Sequence, residues 1–174
     1  MSEILRRTFD EFGQSPWLDN LQRSYITSGK LAELISSGVR GLTSNPTIFQ
    51  KAIQGSDDYD DQFTVEIRNG ASPLEAYWAL VIKDINDALD VLADLYSSSS
   101  GLDGFVSVEV DPRLAKDGEK TLTAARDLDE RINRSNVMIK IPATEEGLPA
   151  IEQMISEGRN VNVTLIFSLQ RYQQ

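Results

Sequence analysis

Five short β-like runs alternate with helical segments along the chain, and this alternation constrains the fold more than any other feature. The runs cover residues 16–20, 39–45, 105–111, 137–143 and 161–168. Strands that alternate with helices predict βα units and a parallel sheet. Two architectures follow, an open doubly wound sheet and a (β/α) barrel. No G-x-G-x-x-G sequence and no Walker-type lysine loop accompanies the strands, so the nucleotide fingerprint of the first architecture is missing.

The segments between these runs carry helix start and stop signals. Ser72-Pro73 predicts an N-cap with proline in the first turn of a long helix that reaches about residue 96. Asn45-Pro46 predicts another N-cap, for a helix that ends near residue 53. Further helices are expected at residues 29–37, 119–133 and 144–157, and a serine-rich loop at residues 97–101.

The absence of cysteine and histidine restricts the possible chemistry. Without cysteine there is no disulfide, thiol nucleophile or thiolate metal site, and without histidine the usual general base and the commonest metal ligand are missing. Covalent chemistry in this chain must therefore use Lys, Asp, Glu, Ser, Thr or Tyr. The net charge of −10 argues against nucleic acid or an anionic membrane as a partner. With no apolar run of membrane-spanning length and no secretory signal at the start, we expect a cytoplasmic protein.

Side-chain alternation divides each predicted strand into an aliphatic face and a face that becomes polar toward its carboxyl end. In residues 137–143, for example, Val137, Ile139 and Ile141 oppose Met138 and Lys140. In a barrel the second face is the interior, and its carboxyl-end mouth holds the active site. The polar residues expected to converge there are Asp19, Thr43, Asn45, Ser107, Glu109, Lys140, Asn162 and Thr164.

Lys140 is the most unusual of these residues, because it lies inside the apolar run VMIKIPAT. Burial disfavours the charged form of a lysine, and a neutral amine is a nucleophile for carbonyl groups. The alternative is a lysine at the end of a strand with its ammonium in solvent. Glu109 could likewise be an exposed acid or the ion-pair partner of Arg113, and Asp19 could be a turn or cap residue.

The remaining candidates also have simpler interpretations. Asn45 could serve only as the helix cap, and Thr43 could support the same turn. Asn162 and Thr164 could satisfy local hydrogen bonds.

Four segments carry a family resemblance. The segments are GVRGLTSNPTIFQKAI (38–53), NVMIKIPATEEGLPAIEQMISEGRNVNVTLIFS (136–168), SVEVDPRLA (107–115) and SPWLDNLQR (15–23). In this order and at this spacing the chain resembles the transaldolases of the longer bacterial type. The resemblance implies an α/β protein with a (β/α)8 TIM-type barrel, of which residues 1–174 would form the N-terminal part of a single domain with about the first five strands.

The resemblance also implies roles for the candidates. Lys140 would be the Schiff-base nucleophile, Asp19 would handle the C4 hydroxyl proton, and Glu109 would move protons through a water during carbinolamine formation and dehydration. Asn45 and Asn162 would hold the dihydroxyacetone moiety.

Thr43, Ser107 and Thr164 would complete the substrate site. The substrates implied are fructose 6-phosphate and erythrose 4-phosphate, giving sedoheptulose 7-phosphate and glyceraldehyde 3-phosphate in the pentose phosphate pathway. No metal or organic cofactor is implied.

The chain stops at Gln174, whereas a whole barrel takes about 200 residues or more. We therefore expect the later strands to be absent and the isolated piece to have uncovered apolar faces, with aggregation, dimerisation through an open edge, or disorder near the carboxyl end. Alternatives remain: a fructose-6-phosphate aldolase, a parent fused to a phosphoglucose isomerase, an inactive barrel fragment, and a lysine-based lyase on other substrates. The sequence leaves the oligomeric state open.

Overall fold

A computed structural model describes residues 2–174 and shows an α/β fold with all five predicted strands. The strands are β1 (Trp17–Asp19), β2 (Gly41–Thr43), β3 (Phe105–Glu109), β4 (Val137–Pro142) and β5 (Val161–Thr164). They follow one another in one sheet in the order β1-β2-β3-β4-β5. The pairs β1-β2 and β4-β5 are parallel, as the alternation of strands and helices predicts. Every strand is shorter than expected at its carboxyl end.

Helices occupy most of the remaining chain. They are α1 (Ser2–Phe12), α2 (Arg23–Thr27), α3 (Lys30–Ser36), α4 (Pro46–Gln54), α5 (Asp60–Arg68), α6 (Pro73–Ser98), α7 (Gly118–Ile132), α8 (Leu148–Ser156) and α9 (Leu169–Gln173), with short 3₁₀ helices at Asp57–Tyr59 and Pro112–Leu114. The sequence did not predict α1, α2 or α5. Helix α8 begins four residues later than expected, because Thr144 lies in a loop. None of the helices within residues 2–174 is long and apolar enough to span a membrane.

The chain divides into two compact units, one that ends at Val106 and one that covers Ser107–Gln174. Helix α6 organises the first unit. Its N-terminus has a full capping box, in which the Ser72 hydroxyl accepts from the Glu75 amide and the Glu75 carboxylate accepts from the Ser72 amide. Along its buried face lie Leu80, Ile85 and Leu92, each at most 1% exposed. The predicted cap at Ser72-Pro73 is confirmed.

A buried polar network joins α2 to α6 in the first unit. Arg23 Nε donates to Asp84 Oδ1 at 2.8 Å, and the Tyr59 hydroxyl donates to Asp84 Oδ2 at 2.9 Å. The Arg23 amide in turn donates to the Tyr59 hydroxyl at 3.0 Å. Burial raises the pKa of Asp84, and its contacts with Arg23 and Tyr59 oppose that rise. The network thus anchors α2, which follows β1 along the chain, to α6.

Close packing explains why residue 41 in β2 is a glycine. Trp17 and Gly41 are register partners, and the indole of Trp17 lies over the Gly41 backbone, where a Cβ would overlap it. Only glycine admits this approach. The same register places Asp19 beside Thr43 at the carboxyl ends of the two strands.

In the second unit β4 packs against α7, and α8 packs against α7 and β5. Val137, Ile139 and Ile141 on β4 are at most 1% exposed, whereas Met138 and Lys140 on the other face are half-buried. The division of β4 into an aliphatic and a mixed face is thus as predicted. Met154 of α8 and Leu128 of α7 complete this core.

Apolar side chains near the carboxyl end are largely exposed. Phe167 and Leu169 are 87% and 83% exposed, and Tyr172 is 75% exposed. A cleft of about 790 Å³ lies beside them, between α8 and α9, lined among others by Leu148, Val163 and Tyr172. None of the eight predicted site residues lines this cleft.

Candidate active site

The eight candidates fall into two groups, one in each compact unit. Asp19, Thr43 and Asn45 belong to the first unit, and each lies at or just beyond the carboxyl end of a strand. The second unit contains the other five candidates, Ser107, Glu109, Lys140, Asn162 and Thr164. The structure brings this second group together, as the parity of β3, β4 and β5 predicts.

Lys140 is flanked by candidates from both neighbouring strands. In β5 its register partner is Asn162. On the other side the Val110 amide donates to the Lys140 carbonyl at 3.3 Å, which sets Glu109 beside Lys140. The Nζ of Lys140 lies 3.8 Å from Oε2 of Glu109. Glu109, Lys140 and Asn162 therefore form one row across three strands.

The Lys140–Glu109 pair is largely buried. The side chains are only 12% and 16% exposed, so the alternative of a strand-end ammonium in solvent is wrong. The proposed pairing of Glu109 with Arg113 is also wrong. Arg113 instead donates from Nε to Asp111 at 2.9 Å, because Asp111 caps the 3₁₀ helix in which Arg113 lies.

Burial changes the proton affinity of this site. It raises the pKa of the Glu109 carboxyl, and the nearby Lys140 opposes that rise without cancelling it. A carboxyl group shifted upward toward neutral pH is better able to accept and return a proton. The row thus places a potential nucleophile beside a potential proton carrier.

Asn162 is held by a long-range contact. Its Nδ2 donates to the Ser107 hydroxyl at 3.0 Å, so that β5 is joined to β3 past the intervening strand β4. This bond spans 55 positions of sequence and is not the local bond of the simpler interpretation. Thr164, two residues further along β5, has a buried hydroxyl that makes no hydrogen bond within residues 2–174.

The first group is less enclosed. Asp19 is exposed, and Thr43 is half-buried. Asn45 caps α4, as predicted, with its Oδ1 accepting from the Ile48 amide at 3.0 Å. This bond uses the side-chain oxygen, so the amide NH₂ of Asn45 remains the group that can donate to a ligand.

The sequence did not indicate the contacts of Thr144. Its hydroxyl donates to the Ala115 carbonyl at 2.6 Å, across 29 positions of sequence. Thr144 follows Ala143 in a segment predicted to begin a helix, and a hydrogen bond to a distant loop cannot be predicted from sequence periodicity. No group of three or more acidic side chains within the described part of the chain could hold a metal ion.

Comparison with known proteins relates this chain to one family. Residues 16–174 match the family model described as "Transaldolase/Fructose-6-phosphate aldolase". The chain is 50% identical over 164 residues to a transaldolase of Trichodesmium erythraeum, covering 94% of this chain and 43% of that protein. It is 53% identical over 161 residues to a transaldolase of Saccharopolyspora erythraea, with 92% and 43% covered.

A third relative covers the whole chain. "Transaldolase 2" of Streptomyces coelicolor is 49% identical over an alignment of 175 positions, which covers 100% of this chain and 47% of that protein. The chain thus spans less than half the length of each of these relatives. A family model that matches all but the first 15 residues nonetheless establishes the family and its barrel-type α/β fold: the chain belongs to the transaldolase/fructose-6-phosphate aldolase family.

Proposed function

We propose that the protein of which these residues form part is a transaldolase, which transfers a dihydroxyacetone unit between sugar phosphates through a Schiff base on Lys140. The observation that carries this proposal is the row of Glu109, Lys140 and Asn162, with the Lys140–Glu109 pair largely buried, in a chain about 50% identical to proteins named transaldolase. The donors we expect are fructose 6-phosphate and sedoheptulose 7-phosphate, and the acceptors are aldose phosphates.

Lys140 begins the reaction. Its Nζ attacks the C2 carbonyl of the ketose, and the resulting carbinolamine loses water to give an iminium ion. Glu109, 3.8 Å from Nζ, is placed to give a proton to the departing hydroxyl and to take it back during hydrolysis. Its raised pKa suits this exchange, because a carboxyl that ionises too readily holds no proton to give.

The carbon–carbon bond then breaks with the iminium ion as the electron sink. The C4 hydroxyl gives its proton to a carboxylate, for which we propose Asp19, and the electrons of the C3–C4 bond form an enamine on Lys140. Glyceraldehyde 3-phosphate leaves. C3 of the enamine next adds to the aldehyde carbon of erythrose 4-phosphate, whose oxygen regains the proton, and hydrolysis releases sedoheptulose 7-phosphate.

Polar side chains would hold the three-carbon unit during the transfer. We assign this role to Asn162, which its bond to Ser107 orients, and to the NH₂ group of Asn45. Thr43, Ser107 and Thr164 would complete the site, and the buried Thr164 hydroxyl, which makes no hydrogen bond within residues 2–174, is suited to bind substrate or water. We further propose that the protein acts in the cytoplasm, where unmodified sugar phosphates would be available to it.

The family model also covers fructose-6-phosphate aldolases, which release the three-carbon unit to water. The relatives described above are all named transaldolases, and this favours transfer. Product analysis with and without erythrose 4-phosphate separates the two activities: a transferase needs the acceptor, whereas an aldolase produces dihydroxyacetone without it.

Trapping with borohydride tests the proposal directly. The protein is incubated with fructose 6-phosphate, reduced, digested and mapped by mass spectrometry, with Lys140→Met and the surface variant Lys83→Met in parallel. A three-carbon adduct on Lys140, lost in Lys140→Met and kept in Lys83→Met, is expected. Adducts spread over surface lysines in all three proteins would contradict the Schiff-base assignment.

A further inference from the structure

Two loops follow the strands that carry Glu109 and Lys140, and one threonine joins them. The β4–α8 loop contains Thr144, four residues after Lys140, and the β3–α7 loop contains Ala115, six residues after Glu109. The Thr144 hydroxyl donates to the Ala115 carbonyl at 2.6 Å and accepts from the Gly147 amide at 3.0 Å. Both capacities of the hydroxyl are thus used, one toward each loop.

The backbone around this hydrogen bond is closely packed. A Cβ on Gly118, the first residue of α7, would overlap the carbonyl of Glu146, and a Cβ on Gly147 would overlap the carbonyl of Pro142. Neither glycine has a positive φ, so the close approach of a carbonyl, and not the backbone conformation, explains why glycine occupies these positions. The two loops therefore pack backbone against backbone at the point where Thr144 joins them.

The Ala115 side of the bond is itself anchored. Thr121, which is 1% exposed on α7, donates from its hydroxyl to the carbonyl of Leu114 at 2.8 Å. The turn that holds Ala115 is therefore anchored to α7 by a hydrogen bond. A bond between two fixed loops transmits position to the strand ends just before them.

We propose that Thr144 is a positioning residue that sets the separation between the Lys140 amine and the Glu109 carboxylate. This inference rests on the function proposed above, in which these two groups exchange protons. Lys140 lies two residues before the end of β4, and Glu109 is the last residue of β3. A shift of either loop therefore moves one member of the pair relative to the other. Because catalysis depends steeply on such distances, we expect roughly a tenfold to hundredfold loss of the Schiff-base rate without the bond.

Three variants test the proposal in the whole protein. Thr144→Val keeps the shape and removes the hydroxyl, and Thr144→Ser restores the hydroxyl. Thr123→Val removes a hydroxyl whose bond, to the Glu119 carbonyl at 2.9 Å, stays within α7. The rate of borohydride trapping on Lys140 is measured against pH for each variant and divided by the folded fraction from circular dichroism.

The expected result is a slower trapping rate with an altered pH profile in Thr144→Val, and wild-type behaviour in Thr144→Ser and Thr123→Val. Equal rates and equal profiles in Thr144→Val, after correction for folding, would leave Thr144 a purely structural role and overturn the inference. The wild-type trap provides the separate test of the proposed function, since its failure concerns Lys140 and not Thr144.

A second measurement needs no substrate. The carboxyl carbon of Glu109 is followed by NMR during a pH titration of the wild type and of Thr144→Val. If Thr144 fixes the separation of Lys140 and Glu109, the pH midpoint of the Glu109 titration differs from wild type in Thr144→Val and equals that of wild type in Thr144→Ser. An unchanged midpoint in a folded Thr144→Val protein would contradict the inference, whatever the trapping experiment gives.

Discussion

Glu109 lies beside Lys140 on the neighbouring strand, with 3.8 Å between its Oε2 and the lysine Nζ, and both side chains are withdrawn from solvent. A carboxyl next to an ammonium would ordinarily become more acidic. Here desolvation is the larger effect, and the pKa of Glu109 is raised. The fold therefore makes the Glu109 carboxyl group costly to ionise, and this cost should be measurable as a pH dependence of stability.

The first prediction concerns the free energy of unfolding between pH 4 and pH 8. Above the ordinary glutamate pKa of 4.5 and below the raised value, the folded chain binds more protons at Glu109 than the unfolded chain does. The Glu109 contribution to stability therefore falls as the pH rises through this window. We expect Glu109→Gln to lack this fall, so that the unfolding free energy of the variant increases relative to that of wild type as pH rises.

Urea denaturation at several pH values measures the effect. The exposed Glu152 on α8 supplies the matched control, because Glu152→Gln makes the same chemical change outside the pair. Wild-type and Glu109→Gln stabilities that run parallel over the whole range would contradict the assigned shift.

The strands could be predicted because each has a buried aliphatic face that marks it in the sequence. Val137, Ile139 and Ile141 have this pattern, and the structure buries all three. The predicted runs extend past the ends of β2 and β3 because they include residues that cap the next helix: Asn45 caps α4, and Asp111 caps a 3₁₀ helix. Local sequence propensity does not show at which residue a strand ends before the cap of the next helix.

The candidate site could be predicted as a set of residues but not as a set of contacts. Parity places Ser107 and Asn162 on one face, but the hydrogen bond between them depends on strand order and register. Arg23 and Asp84 are 61 residues apart, and neither lies in a pattern that marks it as buried. Such pairs follow from tertiary packing, which a single sequence records only indirectly.

The second prediction concerns this buried pair in the first unit. Removing one partner leaves an uncompensated charge or polar group, so Arg23→Met and Asp84→Leu should each lower the unfolding free energy by about 3 kcal/mol. The double variant Arg23→Met/Asp84→Leu should recover much of the loss, because burial of Asp84 is itself unfavourable and raises its pKa. Asp87→Asn, at the exposed Lys83–Asp87 pair, is the control and should cost at most about 0.5 kcal/mol. Additive losses in the double variant would show that the two residues are not coupled.

The third prediction concerns the contact between Trp17 and Gly41. Because a Cβ at position 41 would overlap the indole ring, Gly41→Ala should destabilise the protein by about 1–3 kcal/mol. Trp17→Leu alone should also destabilise it, but Gly41→Ala added to Trp17→Leu should cost little more. Thermal unfolding of the four proteins gives the coupling. Equal costs of Gly41→Ala in the two backgrounds would mean that the indole does not restrict this position.

The fourth prediction separates the two uses of Asn45. Its Oδ1 caps α4, whereas the proposed function assigns its NH₂ group to the substrate. Asn45→Asp keeps the cap and adds a favourable charge at the helix N-terminus, so its stability should match or exceed that of wild type while trapping of fructose 6-phosphate on Lys140 falls. Asn45→Ala should lose both trapping and about 1 kcal/mol of stability. Ser72→Ala, which removes the cap of α6, should lose similar stability and keep trapping per folded molecule. If Asn45→Asp trapped substrate as well as wild type, the role of Asn45 would be confined to the helix cap.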